Sequence, residues 1–145
     1  MVEYVFFVTH PEVFAKEIAH IKSLLMMYNT RSMVIDDSDR FLYLIPQLSK
    51  QKSIIILFAT SNEELEDLIS FREHLGAIPT ILVLPDDNTR TLQKGMLLSP
   101  MYFMAKNSEV NQFSLAIDEL HHIYEDYFHD TRSSSVRSRR PGRSQ

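Results

Sequence analysis

The sequence contains no cysteine and only three glycines, and no apolar run approaches the ~20 residues that cross a bilayer. Absence of cysteine excludes disulfide frameworks, thiol nucleophiles and thiolate-held zinc together. Scarce glycine leaves little for phosphate-cradling loops, and neither GxGxxG nor GxxxxGK[ST] occurs. HExxH and GxSxG are also missing, so zinc-protease and serine-hydrolase chemistry lack their usual frames. Met1-Val-Glu-Tyr4 leads directly into a strand-like run, without the basic start and small-residue cleavage site of a signal peptide. The expectation is a cytoplasmic protein with no membrane insertion. What remains is 145 residues and 16.9 kDa, room for one domain.

Charge divides the chain at about residue 129. The tail 130–145 holds five arginines and one acid, Asp130, hence +4. The whole chain is −4, so residues 1–129 carry −8. The tail is Ser- and Arg-rich with little to bury, and is expected to be a disordered extension of a 1–129 domain. Nucleic acid or an anionic surface is an expected partner only through this tail, because phosphate binding rests on Lys and Arg.

Within 1–129, short apolar runs alternate with amphipathic stretches. Tyr4–Thr9, Ser32–Ile35, Ser53–Ala59, Thr80–Leu84 and Met101–Ala105 read as strands, most of them apolar on both faces. Helical spacing marks Glu12–Tyr28 through Phe14, Ile18, Ile21 and Leu25. It also marks Phe41–Leu48, where Pro46 is expected to kink or shorten the helix. Ser61-Asn-Glu-Glu64 forms a capping box before a helix that Gly76 closes. A short helix near Thr89–Leu98 and a long one from about Ser108 to Phe128 complete a (βα)5 pattern. Its expected form is α/β: a doubly wound parallel sheet of five strands with helices on both sides. Ligands and chemistry in such sheets gather beyond the carboxyl ends of the strands. Thr9 and His10, Asp36, Asp37 and Asp39, Thr60 to Asn62, Asp86 and Asp87, and Lys106 and Asn107 stand there.

Element order, size and Lys106 together resemble the receiver (CheY-like) domain of two-component response regulators, a three-layer sandwich of flavodoxin-like topology. In that family an acidic pair ends strand one, a phosphate-accepting aspartate ends strand three, a Ser/Thr ends strand four and a Lys-Pro ends strand five. Here those positions hold Thr9 and His10, Phe58 or Ala59, Leu84 or Pro85, and Lys106 with Asn107. Without a carboxylate nucleophile or hard oxygen ligands, the resemblance implies a degenerate receiver outside the phosphorelay cycle, with no cofactor, no metal and no catalytic residue. Thr9, His10, Asp36, Lys106 and Asn107 are then a vestigial switch or ligand site, with Lys106 either pairing to Asp36 or Asp86 or standing exposed at the end of its strand.

The acids at the strand ends serve as turn formers and caps. His121, His122 and His129 read as solvated helix residues. The family's helix-four/strand-five/helix-five face is a common dimerisation and output surface. The corresponding residues here are Arg90, Lys94, Tyr102, Asp118, His121 and Glu125, whose opposite charges suit a twofold homodimer. A phosphorylation-independent signalling module acting through protein partners is the leading expectation. The alternative is a small α/β enzyme or ligand-binding protein using the strand-end rim.

Overall fold

The structure, a computed structural model, describes residues 2–107 and 112–123. Five parallel strands, β1 (Val2–Phe7), β2 (Thr30–Ile35), β3 (Ser53–Phe58), β4 (Thr80–Leu84) and β5 (Tyr102–Ala105), form one sheet in the order β2-β1-β3-β4-β5. Tyr4 lies opposite Ser32 on one side and Ile54 on the other, which fixes β1 in the middle of its neighbours. The chain moves outward from β1 to β2, then returns past β1 to β3. The β1/β3 junction is therefore the topological switch point.

Side chains alternate across this sheet and build two cores. Tyr4, Phe6, Ile54, Ile56, Phe58, Ile81 and Val83 face α1 (Ala15–Leu25) and α6, the helical residues 112–123. Val5, Phe7, Ile55, Leu57, Leu82 and Leu84 face the other side. There they meet α2 (Ser38–Leu48), α3 (Asn62–Ser70), α4 (Arg72–Leu75) and the 3-10 turn after α5 (Thr89–Gly95). Every residue of β1, β3 and β4 is buried, whereas the edge strands β2 and β5 are only partly covered. Aromatic packing reinforces both layers: Phe7 stacks on Phe41 at 4.2 Å, and Phe14 tilts against Phe58 at 5.1 Å. Each such side chain removed from water contributes about 2 kcal/mol.

Several boundaries differ from expectation. β1 ends at Phe7, leaving Val8 and Thr9 beyond it, and β2 starts at Thr30. The first helical stretch opens as a 3-10 turn, Pro11–Phe14, in which proline takes the first position and needs no amide partner. Pro46 does not shorten α2. It lies in the final turn, where Ser49 donates its hydroxyl to the Pro46 carbonyl at 2.8 Å. The third helical stretch breaks at Phe71 into α3 and α4, and Gly76 ends it at φ +57°, a conformation that a side chain disfavours. Residues 108–111 and 124–128 of the expected last helix lie outside the described residues, as does the tail 130–145.

Candidate functional site

At the carboxyl end of β1, the Val8 amide still bonds the Ile35 carbonyl at 3.0 Å, so Thr9 is the first residue to leave the sheet. On the neighbouring strand, Phe58 and Ala59 are buried, and Ala59 donates its amide to the Val83 carbonyl. The chain then turns through Thr60 into Ser61. Ser61 is extended and caps α3, its hydroxyl accepting the Glu64 amide at 3.2 Å. This is the local half of the capping box. Its reciprocal half is displaced by one residue: Glu64 Oε1 accepts the amide of Thr60, not Ser61, at 2.9 Å.

The second oxygen of Glu64 reaches across the switch point. Glu64 Oε2 accepts the Thr9 hydroxyl and lies 2.8 Å from His10 Nδ1. One carboxylate thus ties the loop after β1 to the loop after β3, over the place where strand ends would open a pocket. Partial burial pushes the Glu64 carboxyl up. Hydrogen bonds from the Thr60 side chain, Thr9, the Thr60 backbone and His10 outweigh it and hold the carboxyl below its ordinary value. Sequence reasoning found Glu64 as a helix cap and missed its role across the sheet. The only signal was the capping box itself, which names one oxygen's partners and leaves the other free to reach out.

The remaining expected residues are dispersed. Asp36 is exposed, Asp37 caps α2 by accepting the Arg40 amide at 2.9 Å, and Asp86 accepts the Asn88 amide at 3.0 Å. The Lys106 amide bonds the Leu84 carbonyl at 2.7 Å. Among the described residues, no ion pair joins Lys106 to Asp36 or Asp86. Asn107 turns at φ +69°, and its amide donates to Glu17 of α1 at 3.1 Å. Glu17 is only 4% exposed, so it forms a second rim tie that the sequence did not disclose.

A receiver-like site implies a hard divalent cation, and the donors here do not fit one. The two positions after β1 carry a hydroxyl and an imidazole already engaged with Glu64, and Phe58 and Ala59 offer no oxygen from their side chains. Among the described residues, no group of three His, Asp or Glu is placed to hold a metal.

The expected interface residues separate in the same way. Lys94 pairs with Glu66 at 2.9 Å and Arg90 is exposed. On α6, Asp118 accepts the Tyr28 hydroxyl at the α1 side, while Glu119 accepts the Tyr102 hydroxyl at the β5 side. Glu119, not Asp118, therefore borders β5. His121 is a correction to both of its expected roles, exposed helix residue and interface residue. It is 5% exposed, its ring lies 4.2 Å from that of Tyr28, and its Nδ1 is 3.4 Å from the Tyr4 hydroxyl. The cause is position: His121 is one turn beyond buried Ile117, on the rim of the helix's apolar stripe. Glu125 lies outside the described residues. At β5 the exposed large side chains are apolar, Met101 and Phe103, and Met96 and Leu97 are exposed on the 3-10 turn after α5.

Comparison with solved structures finds the same architecture in receiver domains. FixJ-N matches with a TM-score of 0.60 at 16% identity, covering 85% of this chain and 94% of that one. A response regulator CheY-like protein from Mesorhizobium loti matches with a TM-score of 0.57 at 18% identity, covering 80% and 95%. A putative pilus assembly-related protein from Burkholderia pseudomallei matches with a TM-score of 0.63 at 13% identity, covering 82% and 88%. No family model and no curated protein matches the sequence. The chain thus has the fold of the CheY-like receiver domain. At these identities the likeness is one of fold.

Proposed function

We propose that this chain is a signalling module of receiver architecture that works without phosphotransfer and transmits its state by protein–protein contact. One observation carries the reading: buried Phe58 and Ala59 stand where the resemblance puts the phosphate acceptor, and Glu64 beside them ties together Thr9, His10 and Thr60. Neither Phe nor Ala supplies a nucleophile for phosphorus, and Glu64 is committed to donors from Thr9, His10 and Thr60. Incubating the full chain with Mg²⁺ and acetyl phosphate, then weighing it intact, is expected to show no phosphoryl adduct. A stoichiometric adduct on a carboxylate ends the reading.

The output surface in this reading is the edge made by α5, β5 and α6. β5 is an edge strand of the sheet among the described residues, and Met101 and Phe103 are exposed at it. Arg90 and Glu119 supply charges of opposite sign, the pattern that a twofold homodimer satisfies twice. Sedimentation of the wild-type chain is expected to give a dimer, and Phe103→Asp a monomer of unchanged fold. A wild-type monomer at high concentration removes the homodimer and leaves a different protein partner for the same edge. The arginine tail adds sequence-independent attraction for anionic partners, expected to fade with salt.

A further inference from the structure

A cavity of about 760 Å³ lies at the amino ends of β3, β4 and β5, the opposite end of the sheet from Thr9 and Glu64. The segments that lead into these strands frame it, 48–52 before β3, 77–79 before β4 and Met101 before β5, together with Leu120 and Ile123 of α6. We propose that this cavity binds a single-chain amphipathic anion, an acyl carboxylate, with its hydrocarbon chain inside and its head group at Lys50. Such binding is independent of the proposed signalling role, which concerns the other end of the sheet and the β5 edge.

The walls set the chemistry of the chain. Leu48 and Leu120 are buried, whereas Met101 and Ile123 remain 46% and 45% exposed, so large apolar side chains meet water across a space that a hydrocarbon would fill. The volume falls within the ~300–1,000 Å³ of small-molecule sites. The flexible thioether of Met101 adjusts to a flexible ligand. A peptide or a second copy of the protein would bring backbone amides that these walls leave unpaired, and an acyl chain brings none.

The polar side chains that line the cavity all come from the 49–52 loop, which fixes the side at which a head group sits. Ser49 already donates to the Pro46 carbonyl, and Lys52 already has a partner. Lys50 is exposed, and no ion pair among the described residues engages it. Gln51 beside it adds an amide donor. No Asp or Glu stands among the described residues that line the cavity, although residues 1–129 carry −8. Asp36, Asp37, Asp86 and Asp87 follow β2 and β4 and so belong to the opposite end of the sheet. The body as a whole repels an anion, and this mouth attracts one.

The test is titration of the full-length chain with dodecanoate, below the concentration at which it forms micelles, read by calorimetry and by NMR of labelled isoleucine methyls. Saturable one-to-one binding is expected, with shifts concentrated at Ile78 and Ile123. Decanoate, two methylenes shorter, should bind about fifteenfold more weakly. Dodecyltrimethylammonium, with the same chain and the opposite charge, should bind more weakly than dodecanoate. Lys50→Glu is a surface change expected to leave the urea midpoint in place. It should weaken dodecanoate about fivefold or more and favour the cation. Absence of saturation, methyl shifts away from the cavity, or equal binding of the two head groups overturns the proposal. Dodecanoate affinity unchanged in Lys50→Glu does so too. Co-sedimentation with phosphatidylglycerol vesicles without binding of free dodecanoate means that a lipid surface is the ligand, and also overturns it.

Discussion

Replacing Glu64 by alanine removes the acceptor shared by the Thr60 amide, the Thr9 hydroxyl and His10 Nδ1. Hydrogen bonds to an ionised group are each worth about 1.5–3 kcal/mol when sheltered and much less when wet. His10 is exposed and re-forms its bond with water, while Thr9 and Thr60 are half-buried. Allowing for water entry, the net loss is about 2 kcal/mol, which in a chain of this size lowers Tm by about 8 °C. Glu64→Gln keeps an acceptor for Thr60 but forfeits the charge, and is expected to cost about 1 kcal/mol at pH 7. The pH dependence separates a charged knot from simple packing. The Glu64 carboxyl titrates below its ordinary value of 4.5 when folded, so its contribution is complete above that value. It is lost as pH falls through the lower, folded value. Urea titrations of wild type and Glu64→Gln from pH 7 to pH 3 should therefore converge as the acid limb is reached. Glu64→Ala within about 0.5 kcal/mol of wild type at pH 7, a typical surface effect, refutes the reasoning. A constant wild-type-to-Gln difference at every pH does so too.

Gly76→Ala meets no neighbouring atom, so its cost is purely the positive-φ backbone, about 1–2 kcal/mol by chemical denaturation. Gly95 is the opposite case. A Cβ there lies 3.0 Å from Leu82 Cδ2 and 3.2 Å from Leu84 Cδ2, so Gly95→Val is expected to destabilise by about 2 kcal/mol. Tyr28 and Tyr102 are pushed up to about 12, chiefly by their hydrogen bonds to Asp118 and Glu119. Ultraviolet difference titration should show two late-ionising phenols, one lost in Tyr28→Phe and one in Tyr102→Phe. The stabilisation from each bond is present below pH 10 and disappears as pH rises toward 12.

The central strands were legible because a strand buried on both faces must be apolar throughout, and Ser53-Ile-Ile-Ile-Leu-Phe58 has no competing reading. Edges were less so: Thr30 and Arg31 belong to β2 through pairing with Val2 and Glu3, which no local pattern reveals. At the rim, sequence gave residue types and left their partners open. Thr9 and Glu64 meet only because the sheet order brings β1 beside β3. His121 illustrates a different failure, in which a titratable side chain on the margin of an apolar stripe reads as solvated until its aromatic neighbours Tyr4 and Tyr28 arrive from elsewhere in the chain.

The tie between Thr9 and Glu64 spans 55 residues of chain. It is made by loop side chains that have no reason to meet before β1 and β3 are paired, so it belongs to the downhill side of the folding barrier. Weakening it should leave the refolding rate nearly unchanged and accelerate unfolding. The knot over the switch point is in that sense a brake on opening, setting how long the domain holds its shape once formed.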